Sequence, residues 1–445
     1  MKAEAAAATR ELGAWVTDLH WDKVPDRVQR RLGLVLLDSL GVTIVGARQA
    51  EQRALMAAWP VSPGRSPVLG GGSSTSVETA AWLNAMALVR LELDEGHKFA
   101  AGHPLAHGLP AVLALAAELG SAGVDTAAAL LATYEVGARF GRATRLNPGS
   151  HPHGSWGVAG AAAGCARLLG LDAEAVAAAI DTGAGLPVAG HFDSALDGNP
   201  VRDAWMAASN LSGLAAARMA AAGVARCTGT AALSLGGLLG TFDPSALTDE
   251  LGDRWDVELG YFKRHASCSF THPAADAALR LREEIGLDAV GRIDSVVVET
   301  HRLAAGLDRT RWDERLAALF SIPFVVASAL IHGQVGPSVS EPEFLFHPEV
   351  AGLAAKVSVQ RADDLDARLP SERATRVRLT VDGMSRQVEV PNPIGDAAYH
   401  PLDEEQVLRL LTDLLDDPAT VRAVHEVATG LPGCADVAPL LQRLA

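Results

Sequence analysis

At 445 residues the chain exceeds the length that one hydrophobic core sustains, so two structural units are expected. A balance of 38 basic against 53 acidic residues, formal net charge -15, excludes a polyanion-binding surface and with it nucleic acid as a partner. Four scattered cysteines without a CxxC pair exclude a disulfide framework and fit a reducing, cytoplasmic location.

The N-terminal stretch MKAEAAAATRELGAW carries early acidic residues and no continuous apolar core, so it does not read as a signal peptide. From Thr9 to about Gly240 apolar residues return every three or four positions, as at Val28, Leu32, Val35, Leu36 and Leu40, the period of helices. Alanine-rich runs such as Gly213 to Gly223 point to close packing through small side chains. Glycine and proline clusters at Pro60–Gly72, Gly102–Pro110, Asn147–Gly154 and Asp193–Pro200 break the helices, and any of these breaks is a place for a functional loop.

Near Trp255 the pattern changes. SVVVET at Ser295–Thr300 reads as a strand, and RVRLTVDG with QVEVP, between Arg376 and Pro391, as two strands turned at Asp382-Gly383. The apolar run Leu316–Ile331 has 16 residues and contains Pro323, short for a membrane span, so no membrane is expected. After Asp403 the segment EEQVLRLLTDLL returns to the helical period. The expected fold class is mainly α with an α+β part: helical residues 1–262, an inserted α+β segment 263–395, and a helical return over 396–445.

Four segments concentrate chemistry. Glu92, Asp94, Glu95, His97, Lys98, His103 and His107 place three carboxylates, three histidines and a lysine within sixteen residues, either an acid–base loop or a solvated one. His151 and His153 stand before the alanine-rich run from Val158, where helix-start N–H groups favour an anion; alternatively His151 caps the helix and Gly157 and Gly160 are small because another helix crosses there. Arg202 opens another alanine-rich helix, its fork suited to a substrate carboxylate or to Asp203 or Asp197. Lys263, Arg264, His265, Cys268 and His272 lie at the compositional junction, as a pocket between domains or as a basic turn with a buried thiol.

In this order the motifs ELDEGHKFAAGHPLAHGLP, HPHGSWGVAGAAAGCARLLGL, DGNPVRDAWMAASNLSG, FKRHASCSFTHPAADA and FSIPFVVASALIHG resemble the MmgE/PrpD family over nearly the whole chain. Members of that family include 2-methylcitrate dehydratase, cis-aconitate decarboxylase and iminodisuccinate epimerase. The resemblance implies a large helical domain built from both chain ends, an α+β lid, a homodimer, and a cofactor-free, metal-free site between the domains that takes a small carboxylate substrate. It implies catalytic roles for His103, His151, Asp94 and Lys263, and substrate contacts for Arg202, Glu92, His97, His272 and Cys268. Three positions depart from the decarboxylase branch: Gly96 lacks a hydroxyl, Phe324 stands in place of a tyrosine, and Cys268 in place of a histidine.

The expected chemistry is proton abstraction next to a carboxylate, with fixed cations stabilising an enolate-like anion and near-neutral histidines as base and acid. Dehydration leads, ahead of epimerisation of a dicarboxylate and decarboxylation of a cis-aconitate-like substrate. The competing readings are a metal site on His103, His107, His151 and His153, and a catalytically inactive binding protein.

Overall fold

The apolar repeat of the helix Asp26–Ala47 seeds the first core, with Val28, Leu32, Val35, Leu36 and Leu40 all buried. The computed structural model describes residues 1–445, the side chain of Ser340 excepted. Val77–Val89 packs directly on that helix, and Lys2–Thr17, Leu109–Leu119, Gly123–Ala143, Val158–Leu168, Ala173–Ala184 and Val201–Ala221 pack on Val77–Val89 or on one another to extend the same core.

Small side chains allow the close packing. A Cβ on Gly164 would lie 2.0 Å from Oγ1 of Thr133, and one on Gly213 would lie 2.3 Å from Cβ of Ala161. The small residues after Gly157 are therefore there for helix crossings, and no larger side chain fits without separating the helices.

The same core takes in the chain's end. Val407, Leu411 and Leu415 of the helix Glu404–Leu415 and Val421, Val424 and Val427 of Pro418–Gly430 join the cluster that begins at Ala5 and runs to Ala266. Asp403 accepts from the Gln406 main chain while Gln406 accepts from the Asp403 N–H, a capping box that starts the returning helix sharply.

A second core gathers buried residues between Cys268 and Val390, with Ala195 from the first part of the chain. Its four-stranded sheet runs Met384–Val390, Thr375–Val381, Ile293–Thr300, Val357–Arg361; the last pair is parallel and the others antiparallel. Asp382 and Gly383 both take left-handed backbone, at φ of 48° and 75°, as a two-residue hairpin with the right twist requires. Val377 and Leu379 point inward against the helix His272–Ile285, while Arg376, Arg378, Glu299 and Glu389 form an outer charged face. Phe324 lies in this core edge-on to Trp312, at 4.8 Å between ring centroids.

Among the described residues no single helix is long and apolar enough to cross a membrane. All four cysteines are unpaired.

Candidate active site

Three segments meet where the two cores adjoin. The loop after Val77–Val89 carries Glu92 to His107, the turn before Val158–Leu168 carries His151 and His153, and a crossing segment from Gly260 to Cys268 joins the cores. Gly96 and His97 pair antiparallel with Tyr261 and Gly260, and Tyr261 bridges to Asp396 on the other side. The strand leading to Lys263 is thus held between the acidic loop and the returning chain. Gly96 is obligatory in this arrangement, since a Cβ there would lie 2.2 Å from Cζ of Tyr261.

Lys263 is fully buried, its Nζ 3.1 Å from Oδ1 of Asp94 and 3.6 Å from Oε2 of Glu92. Burial works against its charge, but Asp94 and Glu92 outweigh burial and hold its pKa above the ordinary lysine value. Burial likewise opposes the charge on Asp94, yet His103 and Lys263 keep its carboxyl below the usual carboxylate range. Asp94 is therefore an anion and Lys263 a cation.

Oδ2 of Asp94 lies 3.0 Å from Nδ1 of His103, and the same nitrogen is 2.6 Å from the Glu95 carbonyl. A carbonyl only accepts, so Nδ1 carries a proton, and in the uncharged form of the ring the lone pair is on Nε2. His151 has the opposite tautomer. Its Nδ1 accepts from the main-chain N–H of His153 at 3.1 Å, which leaves the proton of the neutral ring on Nε2. Burial first, then the Arg202 charge, push its pKa well below the ordinary histidine value, so this ring is neutral. The near-neutral titration expected of it from sequence fails because burial and the Arg202 charge outweigh the opposing pull of Asp94.

His103 and His151 line one cavity of about 50 Å³ with Glu92, Tyr261, Cys268, Arg373, Phe192 and Phe320. Glu92 and Ala101 in its wall have φ of 56° and 54°, left-handed backbone that costs a non-glycine residue about 1–3 kcal/mol. Larger hollows, of about 690 and 670 Å³, lie elsewhere and contain no residue of this network.

Not every residue singled out in the sequence meets the cavity. Arg202, fully buried, gives its guanidinium to Glu92 and, at 3.2 Å, to Asp203, and lies against the His153 ring; it faces protein carboxylates and is not in the cavity wall. His97 is also turned away. It accepts from the Ala100 N–H at 3.0 Å through Nδ1 and points Nε2 at Asp256, 3.3 Å away, so it braces the acidic loop and is not in the cavity wall. His272 donates from Nε2 to the Ser267 carbonyl at 3.1 Å and starts the helix His272–Ile285, again outside the cavity wall. Cys268 is in the wall, where burial pushes its thiol up to about 12 and keeps it protonated.

Tyr261, Arg373 and the aromatic residues Phe192, Phe270 and Phe320 also line the wall, without a role assigned to them from the sequence. Tyr261 stood at the head of a chemistry-rich segment, whereas Arg373 sits in an ordinary charged stretch, Ser371-Glu372-Arg373, that carries no signal.

Asp94, His103 and His153 each bring one potential metal-ligand atom within 4.8 Å of the others. Lys263 already contacts Asp94 and Arg202 already contacts His153, so two fixed cations oppose a further dication at that point. His107, the other histidine of the metal reading, donates or accepts at Ser209, 2.8 Å from Nδ1, and burial pushes it down to about 3.

Two family models cover the chain: the MmgE/PrpD N-terminal domain matches residues 10–236 and the MmgE/PrpD C-terminal domain residues 265–426. The chain belongs to the MmgE/PrpD family. Its similar proteins include a cis-aconitate decarboxylase of Aspergillus terreus, 28% identical over 478 aligned residues that span 99% of this chain and 96% of the relative. The cis-aconitate decarboxylase-like protein oryM of Aspergillus oryzae is 26% identical over 475 residues, 98% of this chain and 97% of that protein. Lys263 falls between the two matches, while Glu92, Asp94, His103, His151 and Arg202 lie within the N-terminal one.

Proposed function

We propose that this MmgE/PrpD protein is a cofactor-independent lyase that takes a proton from the carbon next to a carboxylate of a small polycarboxylate. The observation that carries the reading is the opposite tautomers of two histidines in one cavity wall: His103 offers a lone pair and His151 an N–H.

In dehydration, Nε2 of His103 accepts the proton from the substrate carbon, and Asp94 stabilises the imidazolium that forms. The electron pair moves onto the adjacent carboxylate, whose developing charge the neutral His151 meets with its Nε2–H, and the buried cations Lys263 and Arg202 favour that charge at longer range. The C–O bond then breaks, and the His103 imidazolium returns its proton to the departing hydroxyl. Substrate loses water and the enzyme ends as it began.

A second reading is favoured by the relatives, whose printed activity is cis-aconitate decarboxylation. In that case loss of CO₂ leaves the same kind of carbanion, stabilised by the same groups, and a protonated His103 delivers its Nε2 proton to carbon and is recharged from solvent. The hydroxyl-free Gly96 and Phe324 and the protonated Cys268 favour dehydration. A homodimer in the cytoplasm belongs to this proposal through the family resemblance and the four unpaired cysteines.

The test is turnover of purified protein on 2-methylcitrate, cis-aconitate and iminodisuccinate, followed by proton NMR with and without a chelator. Loss of water from the hydroxylated tricarboxylate supports dehydration and CO₂ release from cis-aconitate the second reading; inertness toward all three, with intact folding, contradicts both.

A further inference from the structure

Buried cations near the cavity are matched by protein carboxylates, with one exception. Lys263 meets Asp94 and Glu92, Arg202 meets Glu92 and Asp203, Arg90 meets Asp203, and Lys98 meets Asp396 at 3.0 Å. Arg373 is 6% exposed, lines the cavity, and among the described residues has no carboxylate oxygen within 4.0 Å. Its contacts are neutral and long: Nη1 donates to Oη of Tyr261 at 3.4 Å and to Oγ of Ser269 at 3.2 Å, and Nη2 to the Lys98 carbonyl at 3.4 Å.

The surroundings hold the guanidinium in place without neutralising it. Its carbon lies 5.3 Å from the Tyr261 ring centroid and 5.0 Å from that of Phe270. The Arg373 main-chain N–H donates to Oδ1 of Asn392 at 3.1 Å, and Nδ2 of Asn392 donates to the Ser371 carbonyl at 3.1 Å, so the backbone is tied down as well. A guanidinium withdrawn from water, oriented by aromatic faces and left without an anion is costly unless an anion arrives. Its planar fork is matched to a carboxylate.

We propose that Arg373 recognises a second substrate carboxylate, one that does not take part in the bond changes, and so selects substrates with a carboxylate beyond the reacting pair of carbons. This deepens the lyase reading and rests on it. Arg373 is a specificity residue carried by the second core, whereas His103 and His151 belong to segments of the first. A tricarboxylate bound in this way touches both domains at once. The binding energy of its remote carboxylate then goes into holding the reacting carbon against Nε2 of His103.

Propane-1,2,3-tricarboxylate and 2-methylbutanedioate serve as unreactive probes that differ by one terminal carboxylate, the one beyond the reacting pair of carbons, with affinities measured by calorimetry for wild type, Arg373→Gln and Arg373→Lys. Wild type is expected to prefer the tricarboxylate at least tenfold, Arg373→Gln to bind both probes alike, and Arg373→Lys to fall between. A wild-type complex crystallised with the tricarboxylate should place two carboxylate oxygens within hydrogen-bond distance of the guanidinium. Preference retained in Arg373→Gln, or a wild-type complex with no carboxylate at Arg373, overturns the assignment even if a variant folds poorly. If that happens while His103→Gln abolishes turnover, only the role of Arg373 falls; wild type that binds neither probe and turns over no polycarboxylate removes the lyase reading too.

Discussion

Asp94 divides its two oxygens between His103 and Lys263, 3.0 Å to the ring Nδ1 and 3.1 Å to the ammonium. The carboxylate thereby stands ready to stabilise the cation of the ring, while its own charge is secured from the other side. Asp94→Asn keeps the shape and removes the charge. It is expected to lower kcat by about 100-fold or more with a smaller change in KM, the range of a positioned acid–base group. Steady-state kinetics on the preferred substrate check it; a change confined to KM contradicts the role.

Arg202 is a different kind of cation. With Glu92 and Asp203 in contact and no exposure to the cavity, its removal strands buried carboxylates. Arg202→Gln should cost about 3–5 kcal/mol of stability, read from chemical denaturation, before any effect on KM is considered. An unchanged unfolding midpoint with a raised KM would return Arg202 to the role of a direct clamp.

Asp38 is fully buried with no hydrogen-bond partner for either oxygen, and burial, reinforced by Asp94, pushes its pKa up to about 8. Between the ordinary carboxylate range and about 8 the folded chain holds a proton that the unfolded chain releases. Stability contributed by that proton is present in acid and is lost as pH rises through the window, at about 1.4 kcal/mol per pH unit for one group. Glu95 and Glu135, also pushed up to about 8, add to the same slope. Asp38→Asn is expected to raise Tm at pH 8.5 by several degrees relative to wild type and to change it little at pH 4.5. Parallel Tm–pH curves for the two proteins contradict the assignment.

Gly96 and Tyr261 compete for one space, since a Cβ at position 96 meets the phenol ring end. Gly96→Ala should destabilise by about 1–3 kcal/mol, as overpacking does, and Tyr261→Ala in the same chain should recover part of that loss. Additive losses in the double variant, measured by denaturation, would show that the ring moves aside freely.

Periodicity carried the architecture because helices and strands write their burial into spacing: the repeat from Val28 to Leu40 and the Asp382-Gly383 turn can be read without coordinates. Side-chain partnerships are not written that way. His97, His103 and His107 are equivalent in sequence, yet one braces Asp256, one faces the cavity and one meets Ser209. Arg202 and Arg373 show the same limit. The arginine in the conspicuous motif is neutralised by neighbours, and the one in plain charged sequence is left without an anion, a difference set by contacts more than 100 residues apart, such as Arg373 with Tyr261, |i−j| 112. The tautomers of His103 and His151 depend on single backbone groups, the Glu95 carbonyl and the His153 N–H, whose orientation no residue pattern encodes.

The most direct test of His103 as the base is exchange of the substrate's α-hydrogen with deuterated water, followed by NMR on the substrate the wild type turns over. His103→Gln, with folding verified by Tm, is expected to lose exchange and turnover together by about 100-fold or more while still binding propane-1,2,3-tricarboxylate. Exchange at the wild-type rate in His103→Gln would contradict it.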